Sequence, residues 1–264
     1  MDYLDIRKNA YIDALTLSKS TTVVSLWGRV PWEIVESFGV TTVYSYGIDR
    51  EVTEDYTDNN YCDMLNSSFA YLELGRCPFM FSSSFFIIDD SCKIRYETLK
   101  KKTDKDVFVY KYRDYKSLIE YLEGKLDKKF DEEKFNDLIE KSREISSLIF
   151  NLRKCDIDER RIYEVEYFSK FIFDIDKRIE FIKKHIDDSF RDKSSVKLQA
   201  AAGVYKKFDQ LIKEGYFCEG EYHDIFTKKG FEYIDEKYKQ FDFKPDYVIN
   251  NCSQFDCDDN VITY

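Results

Sequence analysis

Short apolar runs alternate with amphipathic helical patterns along much of the chain. Runs of four to six residues that are rich in β-branched and aromatic side chains indicate strands. The predicted strands cover residues 23–26, 41–46, 85–88, 107–110, 196–201 and 247–250. Helical patterns, such as those over residues 31–38 and 61–74, separate them. Strands that alternate with helices predict parallel sheets with helices on their faces, which is an α/β fold.

The segment from residue 115 to about residue 188 differs, because its pattern is almost wholly helical. Two apolar stripes at helical spacing run through it, and the charged positions between them suit a solvated face. The stripes comprise Tyr115, Leu118, Ile119, Leu122 and Leu126, followed by Phe135, Leu138, Ile139, Ile145, Leu148 and Ile149. We expect these side chains to pack in the core.

The order of the patterns predicts three parts. Residues 1–113 form a first α/β lobe, residues 114–190 a helical bridge, and residues 191–264 a second α/β lobe. Only two clear strands fall in the last part, so we expect the second lobe to be incomplete. The predicted fold class is therefore α/β, with two Rossmann-like (flavodoxin-like) parallel-sheet lobes joined by a helical bridge.

The stretch VVSLWGRVPWEIVESFGV, residues 23–40, joins a strand end to a helix start. The apolar run stops at Trp27-Gly28, Pro31 suits the first turn of a helix, and Gly39 suits its end. Glu33 falls in that first turn, where the helix dipole favours a carboxylate. The pattern by itself therefore predicts that Glu33 is an exposed residue of a helix start.

Composition excludes some classes of function. The net charge of −10 and the pI of about 5.0 argue against a general nucleic-acid binder, although a local basic pocket for an anionic small molecule remains open. The chain has no apolar run of about 18 residues, so we expect no membrane span. The start, MDYLDIRKNAYIDAL, has an acidic helical pattern that is not typical of a signal peptide.

Cysteine usage indicates a reducing compartment, and we expect a cytoplasmic protein. The odd number of seven cysteines fits this expectation, and no two of them form a CxxC pair. With only two histidines in the chain, a bound metal would have thiolate ligands. A free cysteine is more often a small buried apolar residue, and this is our interpretation of Cys155 in a helical stretch.

Four cysteines lie where parallel sheets build their sites. Cys92 follows the strand at 85–88, Cys252 and Cys257 follow the strand at 247–250, and Cys62 opens a helix. Ligands of open parallel sheets bind beyond the carboxyl ends of the strands, and helix N-termini favour thiolate. Three converging thiolates would suit an iron–sulfur cluster with one iron left open.

Four segments resemble the 2-hydroxyacyl-CoA dehydratase and benzoyl-CoA reductase family, of the 2-hydroxyglutaryl-CoA dehydratase D-component type. GRVPWEIVESFGVTTVYSYG is similar to its first strand–helix segment, and NNYCDMLNSSFAYLELG to its first cysteine segment. FFIIDDSCKIRYETLKK and YVINNCSQFDCDD resemble its second and third cysteine segments. Order and approximate spacing agree over the first hundred residues and again near residue 250.

The resemblance implies a [4Fe–4S] cluster held by three cysteines between two lobes. Its ligands here would be Cys62, Cys92 and Cys257, and Cys257 is preferred because a Gln-Phe pair precedes it. Asp256 intervenes between that pair and the cysteine, so Cys252 stays an alternative. The resemblance also implies that Glu33 is a carboxylate near the reactive centre and a candidate for proton transfer.

The activity implied by the resemblance is the radical elimination of water from a 2-hydroxyacyl-CoA. An ATP-dependent activator protein would supply one electron through the cluster to the thioester carbonyl, and a paralogous subunit would complete an oxygen-sensitive heterodimer. Lys93 replaces the family's usual Asp after the second cysteine, and the sequence ends seven residues after Cys257. These departures motivate alternatives: a non-catalytic cluster-carrying or structural paralogue, a benzoyl-CoA reductase-type component, or a metal-free α/β protein.

Overall fold

A computed structural model describes most of the first two thirds of the chain and parts of the last third. The described residues are 3–46, 61, 63–155, 159–186, 194–199, 216–218, 229–238, 247–250 and 261–263. The chain divides into two compact units. The first comprises Met1–Ser45, Phe69–Arg143 and Asp224–Lys239, and the second comprises Tyr46–Ser68, Glu144–His223 and Gln240–Tyr264.

Helices and strands alternate as the sequence pattern predicts. The helices, in chain order, are α1 (Tyr3–Leu17), α2 (Trp32–Ser37), α3 (Asp63–Glu73), α4 (Pro78–Ser82), α5 (Lys93–Lys102), α6 (Tyr115–Leu126), α7 (Glu132–Lys154), α8 (Glu159–Ser169), α9 (Ile175–Lys183) and α10 (Gly230–Tyr238). The strands are β1 (Val23–Trp27), β2 (Thr41–Tyr44), β3 (Phe85–Asp89), β4 (Val107–Tyr110), β5 (Ser194–Gln199), β6 (Tyr216–Cys218), β7 (Tyr247–Asn250) and β8 (Val261–Thr263). The predicted α/β class is therefore confirmed.

The sheet of the first unit is parallel throughout, with the strand order β2-β1-β3-β4. Every residue of β1 and β3 is buried, which is typical of central strands that helices cover on both faces. The chain winds from β1 to β2 in one direction and then crosses back over β1 to reach β3. The winding direction thus reverses between β1 and β3, and a crevice beyond their carboxyl ends is the expected ligand site of this topology.

The sheet of the second unit is also parallel, and its order β6-β5-β7-β8 repeats the pattern of the first. The sequence predicted β5 and β7. It missed β6 and β8, because three residues are too few to display a period. With these two strands, each of the two sheets has four strands among the described residues. The incompleteness of the second lobe stays a prediction.

The helical middle of the chain is confirmed over the described residues by α6, α7, α8 and α9. Asp114 caps α6, because its carboxylate accepts a hydrogen bond from the Ser117 N–H at 3.2 Å. Asp127, at φ +51°, ends the same helix in the left-handed conformation. Several residues of the two predicted stripes are buried: Leu118, Leu122, Phe135, Leu138, Ile139, Ile145 and Ile149. The division of the chain at residues 113 and 190 stays a prediction.

Helix α10 packs within the first unit. Its Tyr233 and Ile234 are fully buried, and the ring of Phe231 lies 4.9 Å from that of Phe135 between centroids. Asp235 accepts a hydrogen bond from the hydroxyl of Tyr115 on α6. This helix therefore brings residues from beyond position 229 to the first sheet and its helices.

Tyr121 carries a buried hydroxyl that has no hydrogen-bond partner among the described residues. Its ring stacks on Phe108 with 4.3 Å between centroids and meets Phe85 edge-on at 5.8 Å. Burial raises the pKa of Tyr121 to about 12. The ring thus contributes packing, while the hydroxyl is desolvated without compensation.

We predict that Tyr121→Phe raises the free energy of unfolding by about 1 kcal/mol, because it keeps the ring and removes the unpaired hydroxyl. Urea unfolding measures this change. Tyr115→Phe is the matched control, since it removes a hydroxyl that does bond Asp235, and it should lower stability by a similar amount. A loss of stability in Tyr121→Phe as large as that of the control would contradict the prediction.

Candidate functional site at the edge of the first sheet

Trp27 fixes the end of β1 in the core. Its side chain is fully buried, and its indole N–H donates to Ser45 Oγ at 2.7 Å, just beyond the end of β2. The Ser45 hydroxyl is also hydrogen-bonded to Ser25 on β1. A buried indole nitrogen needs such a partner. The strand therefore ends at a defined point, and the loop that follows begins at Gly28.

Asp89, the last residue of β3, ties two loops together through one buried carboxylate. Its Oδ2 accepts a hydrogen bond from the backbone N–H of Arg29, in the loop after β1. Its Oδ1 accepts from the Ser91 N–H at 3.1 Å, from Ser91 Oγ at 2.5 Å, and from the Arg95 guanidinium in an ion pair. Hydrogen bonds to a charged partner are stronger than neutral ones. The loops after β1 and β3 are thus held against each other at the reversal point of the sheet.

Gly28 makes this contact possible. A Cβ built at this position would lie 2.1 Å from Asp89 Oδ2 and 2.8 Å from an Arg95 nitrogen. The residue also has φ +86°, which an L side chain rarely adopts. The loop after β1 can therefore approach the Asp89 carboxylate only with glycine at position 28.

Cys92 lies three residues after Asp89, at the N-cap of α5. Its side chain makes no capping hydrogen bond, and its thiol is free and half-buried. The structure thus places Cys92 where the sequence predicted it, beyond the carboxyl end of a central strand. Lys93 follows, with its side chain 74% exposed and its ammonium 3.7 Å from Glu97 Oε1 one turn later. This unusual lysine therefore belongs to the solvated face of α5.

The other predicted cluster residues cannot be placed. Cys62, Cys252 and Cys257 lie outside the described residues. Within the described ranges, no three His, Cys, Asp or Glu side chains are grouped so that they could hold a metal ion. Cys155 is buried and its thiol contacts the Asn151 carbonyl oxygen at 3.3 Å, as expected for a packing residue. Burial raises the pKa of the Cys77 thiol, which does not favour a thiolate there.

Glu33 is fully buried, so the expectation of an exposed helix-start residue is wrong. Its Oε1 accepts hydrogen bonds from Ser142 Oγ on α7 and from Lys237 Nζ on α10, both at 2.5 Å. Its Oε2 is buried and has no hydrogen-bond partner among the described residues. The helix dipole favours a carboxylate at this position but does not require that it be buried. The ion pair with Lys237 compensates part of the cost of burying the charge.

Sequence reasoning missed the partners of Glu33. Ser142 lies 109 positions away and Lys237 lies 204 positions away, so no local motif connects them with the helix start. The Lys237 ammonium also sits 5.3 Å from the centroid of the Trp32 ring. That contact gives Trp32 a specific role in the helix start, since a cation over an indole face is attracted by the ring.

The free Cys92 thiol follows β3, and the helix that carries the buried Glu33 carboxylate follows β1. Both therefore come after the carboxyl ends of the two strands at the reversal point, which is where α/β proteins of this topology bind ligands. A model of the family described as 2-hydroxyglutaryl-CoA dehydratase, D-component, matches residues 28–226. The chain therefore belongs to this family, and the predicted resemblance is confirmed. A comparison with curated proteins found no match.

The family match has informative bounds. It begins at Gly28 and includes Glu33, Cys62 and Cys92, but it ends before Lys237 and Cys257. The contact between Glu33 and Lys237 thus joins a residue inside the match to one beyond it.

In the described part of the chain, no helix combines the length and the apolar composition that crossing a membrane requires.

We predict that Gly28→Ala lowers the free energy of unfolding by about 2 kcal/mol or more, because a side chain there is strained and collides with Asp89. Gly124→Ala is the matched control. Gly124 lies within α6, where an added Cβ meets nothing within 4 Å, so alanine should stabilise by about 0.5–1 kcal/mol. Urea unfolding of both variants tests this, and equal effects would contradict the role assigned to Gly28.

Proposed function

We propose that this chain is the iron–sulfur subunit of a 2-hydroxyacyl-CoA dehydratase-like enzyme. The observation that carries the proposal is the free Cys92 thiol at the reversal point of a sheet whose sequence matches the 2-hydroxyglutaryl-CoA dehydratase D-component family. The buried Glu33 carboxylate lies at the start of the helix that follows β1, and it supports a catalytic role for this edge of the first sheet.

Cys62, Cys92 and Cys257 would hold a [4Fe–4S] cluster. The described part of the chain fits this at Cys92, which has a free, half-buried thiol with no capping hydrogen bond, and the other two lie outside the described residues. When bound by three thiolates, such a cluster would supply one-electron transfer and an open iron that acts as a Lewis acid. Asp89 would keep the Cys92 loop in place through its bonds to Ser91 and Arg95.

The reaction proposed is the elimination of water from a 2-hydroxyacyl thioester of coenzyme A. The hydroxyl group leaves C2 as hydroxide and a proton leaves C3, which gives the enoyl thioester and water. Glu33 Oε2 is the chain's candidate atom for accepting that proton, because Oε1 is already occupied by two donors. Burial around this carboxylate would limit the access of water to the proton that it holds.

The proposal includes partners that the family assignment supports in general terms. A paralogous subunit would form a heterodimer with this chain, and an ATP-dependent activator protein would deliver the electron. The electron would be recovered at the end of each turnover, so the reaction has no net redox change. We further propose a cytoplasmic location, where thiols are kept reduced.

Anaerobic reconstitution with iron and sulfide tests the proposal. We predict that the parent chain binds both, and that Cys92→Ser binds far less iron and has a weaker visible spectrum. Cys155→Ser is the matched control, since its thiol is buried against Asn151 and it should bind as much iron as the parent. The same assay on Cys252→Ser and Cys257→Ser decides between the two candidates for the third ligand, and we expect the loss in Cys257→Ser.

The outcomes separate the alternatives. Parent protein without iron would contradict the proposal, and so would equal iron content in Cys92→Ser and in the Cys155→Ser control. Iron that is bound without dehydration, in the presence of the partner subunit and the activator, would identify a non-catalytic cluster-carrying paralogue. Reduction of an aromatic ring by the same assembly would identify a benzoyl-CoA reductase-type component.

A further inference from the structure

The two oxygens of the buried Glu33 carboxylate have unequal surroundings. Oε1 accepts hydrogen bonds from Ser142 Oγ and from Lys237 Nζ, each at 2.5 Å. Oε2 is equally buried but has no hydrogen-bond partner among the described residues. Buried polar atoms normally have a hydrogen-bond partner. An oxygen without one, next to an oxygen that accepts two hydrogen bonds, therefore calls for an explanation.

The two donors to Oε1 are also hydrogen-bonded to each other, and their geometry determines the direction in which the Ser142 hydroxyl donates its proton. Ser142 Oγ accepts from Lys237 Nζ at 2.9 Å and from the Tyr233 hydroxyl at 3.1 Å. A hydroxyl has one proton and two acceptor positions, so these two donors leave its own proton for Glu33 Oε1. Ser142 therefore acts as a fixed donor to this oxygen, and rotation of its hydroxyl would break the group.

The Lys237 ammonium is held from several sides. It lies 5.3 Å from the centroid of the Trp32 ring and 6.0 Å from that of Tyr233, in addition to its bonds with Glu33 and Ser142. Its side chain is 20% exposed, whereas that of Glu33 is fully buried. The ammonium therefore places a positive charge beside Oε1 of a carboxyl group that is removed from water.

We propose that Lys237 and Ser142 are positioning residues that hold Glu33 ionised through Oε1, so that Oε2 is the atom that exchanges the proton. This inference rests on the proposed role of Glu33 in proton transfer. It adds α10, which lies beyond the matched part of the chain, to the machinery of the site. The ammonium would bind only Oε1 of the two carboxylate oxygens. Oε2, which is buried and has no donor among the described residues, would be left to accept the proton.

The competing explanation is that these contacts only hold α2, α7 and α10 together. Loss of Lys237 would then lower stability, but the protonation state of Glu33 would have no effect on catalysis. The two explanations therefore differ in turnover and in the recovery of turnover that a second cation provides, whereas both predict lower stability for a neutral residue at position 237.

Infrared difference spectroscopy of the chain alone tests the ionisation directly. Subtracting the spectrum of Glu33→Gln isolates the Glu33 signal, and at neutral pH the parent should show a carboxylate. We expect Lys237→Met to show the carbonyl band of a protonated acid, and Lys237→Arg to restore the carboxylate signal. Lys183→Met is the control, because that lysine pairs with Glu144 at a half-exposed position and should leave the Glu33 signal unchanged.

This measurement needs no cluster, substrate or partner, so its result is independent of the proposed function. A Glu33 carboxylate that persists in Lys237→Met, or a protonated acid in the parent, would overturn the proposal. If Lys237→Met does not fold, Lys237→Gln keeps a donor without the charge and takes its place, with the same expected result.

Turnover by the assembled enzyme provides the second arm. We expect kcat to fall about 10²-fold or more in Lys237→Met and in Glu33→Gln, with little change in KM, because proton transfer and not binding is impaired. Lys237→Arg should recover most of the loss. A raised KM with unchanged kcat in Lys237→Met would overturn the positioning role, even if the parent enzyme proved to be the proposed dehydratase.

Discussion

The Asp89 carboxylate is the interaction on which the edge of the first sheet depends. One buried side chain accepts hydrogen bonds from the loop after β1 and from the turn after β3, and it pairs with Arg95 from α5. The backbone can come this close only because position 28 is glycine. Through these bonds the loop that leads to the helix of Glu33 and the turn that leads to Cys92 are fixed relative to each other.

The two buried acids, Asp89 and Glu33, differ in how many of their oxygens accept hydrogen bonds. Both oxygens of Asp89 accept hydrogen bonds, which is how a structural carboxylate recovers the cost of leaving water. Glu33 is even more completely buried, yet only one of its oxygens is bonded. This difference supports our proposal that Asp89 belongs to the scaffold and that Glu33 is the reactive group.

Local patterns in the sequence predicted what depends on local structure. The apolar runs located β1 to β4, and Pro31 located the start of α2, because strand burial and helix starts leave signals within a few residues. Burial of Glu33 could not be predicted, since its compensating partners lie on α7 and α10. The role of Gly28 was equally hidden, because it is defined by a side chain 61 positions away.

Hydrogen exchange measured by mass spectrometry on Asp89→Asn tests most directly whether one carboxylate holds both loops. The account predicts faster exchange both in the peptide that contains Arg29 and in the peptide that contains Ser91, because each backbone N–H loses the same charged acceptor. Asp90→Asn, a change at the neighbouring exposed acid, should leave both unchanged. Faster exchange in only one of the two loops, or the same response in both variants, would contradict the account.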